Sequence, residues 1–246
     1  ASLILAGTGL TQSGSAHAQS VDVVGAKAAK IGKIDVKEGP HGVVLTLALA
    51  KGALTPGVDG RTFDGYSPEK VRAIIAKLRD GTYKPAAVRR VFIPKADGRM
   101  RPLGIPTTED RLVQEVVRIL LNEIYEPLFC EDSHGFREGR SCHTALKSIQ
   151  AVWTGVKWLV DVDVDGFFDN IDHAILIRLL EKRIADKRFI ALIRGMLKAG
   201  YVEDWRFHRT LSGTPQGGVV SPLLANIYLH EIDEWMQARM AAFDKG

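Results

Sequence analysis

Residues 158–165 read Trp-Leu-Val-Asp-Val-Asp-Val-Asp, and no other stretch constrains the chain as much. The period is two. Trp158, Val160, Val162 and Val164 fall on one side, and Leu159, Asp161, Asp163 and Asp165 on the other, which is the pattern of a β-strand. Three carboxylates at neighbouring positions of one strand face repel one another. Such a strand makes sense where a counter-charge is brought to it, and a divalent cation held by oxygen ligands is the usual one. A solvated acidic edge strand answers to the same pattern. The run alone leaves both readings open.

With 46% hydrophobic and 25% charged residues over 246 positions, the composition suits one or two globular units with a core. The net charge of +4 permits a nucleic-acid partner without demanding one. Its distribution says more. Residues 84–101 hold six basic side chains (Lys84, Arg89, Arg90, Lys95, Arg99 and Arg101) against the single acid Asp97. Such a basic strip fits a phosphate backbone, although a solvated hairpin face has the same composition. Cys130 and Cys142 stand in no metal-like spacing and are read as ordinary thiols. No run is long and apolar enough to span a membrane. Residues 1–50 contain no aromatic residue, no Arg and no Met. They are read as a leader of unclear origin, either poorly ordered or foreign to the natural domain, with a strand at residues 43–49. Ala16-His17-Ala18 has the form of a signal-peptidase site, but no basic segment precedes it. A secretory signal is therefore not expected, and the chain is read as cytoplasmic.

Further along, Ser67-Pro68 opens a helix carrying Val71, Ile74, Ile75 and Leu78, and Gly81 can stop it. Residues 88–94 and 100–105 read as a basic β-hairpin about a tight turn at Asp97-Gly98. Thr107 and Asp110 can cap a helix whose wide apolar stripe (Leu112, Val113, Val116, Val117, Leu120, Leu121, Ile124) belongs in a core, with Pro127 ending it. A glycine-broken loop at 133–140 carries Arg137 and Arg140 and can hold backbone phosphates. His134 in that loop is left unassigned. Ser141 caps a helix to about residue 150, and helices are predicted over 171–183 and 187–199. Residues 201–211 suggest a hairpin whose Trp205 and Phe207 are expected to pack, with base stacking the alternative. Thr214-Pro215-Gln216-Gly217-Gly218 bends the backbone sharply before Ser221-Pro222 opens a long helix. Glycines in such a bend can lie against a flat base pair, and the Gln216 amide can bond a nucleotide edge.

Several of these stretches resemble one family. Residues 163–173, Asp-Val-Asp-Gly-Phe-Phe-Asp-Asn-Ile-Asp-His, are similar to motif A of the group II intron-type (retron-like) reverse transcriptases and maturases. Residues 93–106 resemble the family's fingers hairpin, residues 55–67 the segment that opens its fingers, His134–Ser141 its His-Gly-Phe-Arg block, and residues 215–222 its motif B. The resemblance covers residues 54–246. It implies an α+β fold, the fingers and partial palm of a right-hand polymerase: helices packed on a small antiparallel sheet, plus the basic hairpin. Residues 51–150 are then fingers and 151–246 palm. The implied reaction adds dNTP to a DNA 3′ end on an RNA template, by two-metal nucleotidyl transfer. Asp163, with the Val164 carbonyl, is the implied ligand of the magnesium ions. Lys95 and Arg101 are the implied contacts of the triphosphate, Phe168 the steric gate that rejects a 2′-hydroxyl, and Gln216 with Gly217 the border of the nascent base pair. Arg89, Arg90, Arg137 and Arg140 are expected on nucleic-acid backbone. Asp161, Asp165 and Asp169 are not taken as catalytic, and Asp165 stands where the family often has lysine. The implied partners are template RNA (intron RNA among the choices), a DNA primer and dNTP; the oligomeric state stays open. The family's Tyr-Ala-Asp-Asp motif does not occur in these 246 residues. The chain is therefore expected to be an incomplete polymerase, its other two catalytic aspartates supplied elsewhere. The alternative is a non-enzymatic, maturase-like module that holds intron RNA.

Overall fold

The computed structural model describes residues 2–5, 31–39, 42–49, 55–62, 67–94, 98–157, 160–214 and 217–243. The chain divides into two compact units, Ala1–Lys84 with Thr107–Glu109, and Pro85–Pro106 with Asp110–Gly246. The architecture is mixed α+β, with helices around a small sheet, as the fingers and partial palm of the resemblance require.

In the first unit, strands β1 (Ser2–Leu5), β2 (Ile31–Gly39) and β3 (Gly42–Leu49) form an antiparallel sheet in the order β1-β3-β2. The strand expected at 43–49 is β3. Helix α1 (Pro68–Asp80) begins with proline at its first position, where the missing N–H costs nothing. It ends at Gly81, whose φ of 75° is the left-handed cap that glycine adopts freely. Val71 and Ile74 are its buried residues. The loop at 55–62 turns through a Gly60 N–H to Gly57 carbonyl bond of 3.3 Å, and the Arg61 carbonyl accepts from Thr108 Oγ1 at 3.2 Å.

The second unit is built on a four-stranded sheet, β5-β4-β6-β7, of β4 (Val88–Pro94), β5 (Met100–Ile105), β6 (Tyr201–Glu203) and β7 (Arg206–His208). The hairpin β4–β5 falls on the expected residues, with Arg89 opposite Ile105 and Ile93 opposite Arg101. Asp97 of its turn lies outside the described residues; Gly98 has a φ of 80°, as a tight turn needs. β6 joins β4 in parallel, through Val88 opposite Tyr201, and pairs antiparallel with β7. Around the sheet lie α2 (Thr108–Tyr125), a 3-10 turn (Glu126–Leu128), α3 (Cys142–Val152), the single turn α4 (Phe167–Asn170), α5 (His173–Glu181), α6 (Lys187–Lys198) and α7 (Ser221–Phe243). Ser141 caps α3 with a reciprocal Ser141–Thr144 capping box. Asp172 and Asp186 cap α5 and α6. The core is aliphatic: Val117 and Leu121 from α2, Leu176 and Leu180 from α5, Ile193 and Leu197 from α6 and Leu224 from α7. Tyr125 joins it, its hydroxyl donating to the Leu179 carbonyl at 3.3 Å, and burial pushes that hydroxyl's pKa up to about 12.

Two expectations fail. Residues 160–165 form no strand: the backbone is irregular, with Val160 and Val162 80% and 78% exposed. Alternation is a local preference, whereas a strand exists only when its N–H and C=O groups find a neighbour. No described strand pairs with this segment. Trp158 and Leu159 lie outside the described residues. Trp205 and Phe207, expected to pack, are exposed, Trp205 by 98%. The turn joining β6 to β7 puts Asp204 and Trp205 in left-handed conformations (φ 49° and 64°), and with three-residue arms the hairpin's tip stands in solvent.

Candidate functional site

The motif A-like and motif B-like stretches lie side by side, held by main-chain geometry. After Asp163, Gly166 adopts a left-handed φ of 58° and starts α4, so the chain reverses before α5. The Phe167 ring meets Tyr228 of α7 edge-on at 6.1 Å and Phe168 at 5.7 Å. Phe168 itself is half-buried. Its carbonyl accepts from the Thr214 N–H at 2.7 Å, and the Ile171 carbonyl accepts from the Gly213 N–H at 2.7 Å. Ser212 Oγ donates to the Asp169 carbonyl at 3.0 Å, and His173 Nε2 meets the Gly213 carbonyl at 2.6 Å. Three consecutive residues of the loop are thus bonded to the α4 turn and the first residue of α5.

Glycine is required at both described ends of the bend. A Cβ on Gly213 (φ 80°) would stand 2.6 Å from the Phe168 carbonyl oxygen and 2.7 Å from that of Asp169. A Cβ on Gly217 (φ 106°) would stand 2.6 Å from the Gly104 carbonyl oxygen of β5 and 2.7 Å from Leu103. So the bend lies against α4 on one side and the base of the basic hairpin on the other. A third anchor follows: the Val219 N–H donates to Oε1 of buried Gln114 on α2 at 2.8 Å. Thr214 is buried with its Oγ1 lacking a hydrogen-bond partner.

Of the residues singled out in the sequence, Lys95 and Gln216 lie outside the described residues. Asp163 and Val164 are exposed on the irregular segment before α4, and Arg101 is exposed on β5. Arg89 and Arg90 are half-buried on β4. Arg90 stacks over the Tyr201 ring at 3.4 Å and lies 3.7 Å from Glu203, and Tyr201 stacks in turn on His208. Arg137 is buried and directed inward. Its Nε donates to Glu126 at 3.0 Å and its Nη1 to the carbonyls of Cys130 and Ser133 at 2.7 and 2.8 Å. The Arg140 guanidinium bonds the carbonyl and carboxylate of Glu131 and holds that carboxyl below its usual pKa. In this structure both arginines hold the 126–141 loop together, and Asn226 of α7 fixes the loop through the Gly135 carbonyl at 2.7 Å.

Among the described residues, no three His, Cys, Asp or Glu side chains come close enough to hold a metal. One carboxylate and one main-chain carbonyl fall short of what a pair of magnesium ions needs. These residues therefore do not form a magnesium site on their own. Sequence reading passed over His173 and Gln114. The Asp-His pair after Ile171 reads as a helix start, and Gln114 as one polar residue on a core helix. Their partners lie 40 and 105 positions away, and no local pattern reports them.

Comparison with known proteins identifies the family. The family described as reverse transcriptase (RNA-dependent DNA polymerase) matches residues 93–244. The group II intron-encoded protein LtrA of Lactococcus lactis subsp. cremoris is 55% identical over 196 residues, covering 79% of this chain and 33% of LtrA. An uncharacterized 91 kDa protein in the cob intron of Schizosaccharomyces pombe is 47% identical over 193 residues, 78% of this chain and 24% of that protein. Protein YkfC of Escherichia coli K12 is 37% identical over 198 residues, 77% of this chain and 52% of YkfC. The chain thus spans about a third of the length of LtrA.

Proposed function

Because the chain belongs to the reverse transcriptase family, of the group II intron-encoded kind, we propose that the protein carrying it is an RNA-directed DNA polymerase that adds dNTP to a DNA 3′ end on an RNA template. The observation that carries this reading is the bonded junction of the two motifs. Four hydrogen bonds hold the loop leading to Gln216 against the turn that carries Phe168. A nucleotide pocket needs its sugar side and its base side at a fixed separation, since positioning supplies much of the catalysis in phosphoryl transfer.

In this reading Phe168 lies beneath the incoming sugar and leaves no room for a 2′-hydroxyl. Gln216 and Gly217 border the base pair, and Lys95 and Arg101 neutralise the triphosphate from the hairpin. A lysine point charge beside an arginine fork suits phosphate oxygens. Arg89 and Arg90 serve nucleic-acid backbone, and Arg137 and Arg140 act through the loop they hold. Asp163 and the Val164 carbonyl contribute to a shared site for two magnesium ions, whose other carboxylates come from outside these 246 residues. We assign residues 51–150 to the fingers and 151–246 to the palm.

The test is primer extension on an RNA template by the protein expressed from its complete reading frame. Asp163→Ala is expected to lower the rate by at least about a thousandfold, as loss of a metal ligand does. Undiminished extension by that variant would defeat the metal assignment. The basic strip at residues 84–101 suits a second reading as well, a maturase-like module that binds intron RNA without turnover. It predicts salt-sensitive RNA binding, weakened by Arg89→Ala, with no extension by the wild type.

A further inference from the structure

We infer that His173 is a positioning residue for the nucleotide pocket, the side chain through which the turn carrying Phe168 sets the course of the Gln216 loop. The inference rests on the polymerase reading for what the pocket binds, and on geometry alone for the clamp.

Of the four bonds that join the two motifs, two run from loop N–H groups to carbonyls and no substitution can delete them cleanly. The other two use side chains, Ser212 Oγ and His173 Nε2. The histidine bond is the shorter, at 2.6 Å, and it is part-buried. A carbonyl can only accept, so Nε2 carries the proton. The ring is held from below: Asp172 caps α5 by accepting the Ile175 N–H at 2.8 Å, which places His173 on the first residue of the helix. Gly213 is thereby bonded to the α4–α5 segment at both of its main-chain groups, its N–H to the Ile171 carbonyl and its own carbonyl to His173. It also lies too close to Phe168 and Asp169 for any side chain.

Apart from His173, the described ties of the loop to this segment are the two main-chain bonds and Ser212 Oγ. Thr214 leaves its hydroxyl unpartnered, and the next described contact is Gly217 against Gly104. Without the imidazole, the carbonyl of buried Gly213 would lose its hydrogen-bond partner. The peptide would rotate to recover a partner, carrying Thr214 with it. Phe168, whose carbonyl is tied to Thr214, would lose its fixed distance from the base side. The predicted consequence is weaker nucleotide binding and poorer rejection of ribonucleotides, with less effect on the step that follows binding.

The experiment uses the protein from its complete reading frame, with His173→Leu, His173→Gln and Ser212→Ala. Glutamine's amide nitrogen can take the place of Nε2, so it serves as the rescue. Amide hydrogen exchange reads the clamp without any need for activity. His173→Leu is expected to speed exchange at Gly213 and Thr214 by roughly tenfold, the loss of one bond's worth of protection, with His173→Gln close to wild type and Ser212→Ala intermediate. Primer extension reads the pocket: KM for dNTP is expected to rise about five- to tenfold in His173→Leu with kcat changed less than about threefold, and the preference for dNTP over rNTP to fall. Unchanged exchange in His173→Leu overturns the clamp. Faster exchange with unchanged KM and sugar preference overturns the positioning role. Failure of glutamine to restore both overturns the hydrogen bond as the cause. A wild type that extends no primer defeats the polymerase reading and the nucleotide half of this inference, while exchange still decides the clamp.

Discussion

At the residue scale, the site depends on glycines whose side-chain hydrogens face other backbones. Gly213 combines a left-handed φ with carbonyl oxygens under 3 Å from where a Cβ would stand. Gly213→Ala therefore suffers both conformational strain and a clash that only the α4 turn or the loop can relieve by moving. We expect it to cost about 2 kcal/mol or more, read from urea unfolding, and to separate the loop from α4. An alanine as stable as wild type would mean that the close approach is not made in solution. Gly81 is the contrast. It too has a left-handed φ, but nothing lies within 4 Å of a Cβ there, so its substitution carries the strain alone.

At the element scale, α5, α6 and the first half of α7 carry the second unit. Leu180 is fully buried at their centre. Leu180→Ala removes apolar contact and leaves a cavity that packed helices fill only in part, so a loss of about 2–5 kcal/mol is expected in chemical denaturation. At the end of the same helix, Lys182 bonds Glu231 of α7 at 2.8 and 3.0 Å, with both side chains about half exposed. In water that pair gains little over its separated ions, and Lys182→Ala should change stability by less than about 1 kcal/mol. If the lysine proved as costly as the leucine, helix association here would be electrostatic rather than hydrophobic.

At the scale of the whole molecule, the pH dependence of folding offers a check on the α7 end of the structure. Burial raises the Asp233 carboxyl above its ordinary value of 3.8, against the opposing pull of His230 and Arg137 and with Asp132 adding repulsion. A raised carboxyl holds its proton in the folded chain to a higher pH than in the unfolded one. Its contribution is therefore most favourable below the ordinary value and is lost as pH rises through the raised one. Asp233→Asn should flatten the pH dependence of the melting temperature just above that ordinary value, and at neutral pH should be no less stable than wild type. A variant that melts lower at neutral pH would show that the carboxylate is a net stabilising partner of His230. For nucleic acid, the whole-molecule charge of +4 matters less than its concentration between residues 84 and 101, since counter-ion release counts the phosphates actually met.

The sequence by itself determined the elements whose causes are local: the hairpin β4–β5 with its turn glycine, the proline start and glycine end of α1, the Ser141 cap and the apolar stripes of α2, α5 and α6. Each follows from periodicity or capping within a few residues. It also carried the family, in motifs that no periodicity explains. Only the tertiary structure decided that residues 160–165 make no strand and that Trp205 stands in solvent, because a strand needs a neighbour and a ring needs a wall, and neither is a property of the segment. It also decided that Arg137 faces Glu126, that Gln114 holds Val219, and that His173 reaches Gly213. The last two bonds join positions 105 and 40 apart in the chain, and which distant groups meet is settled only when the elements close on one another.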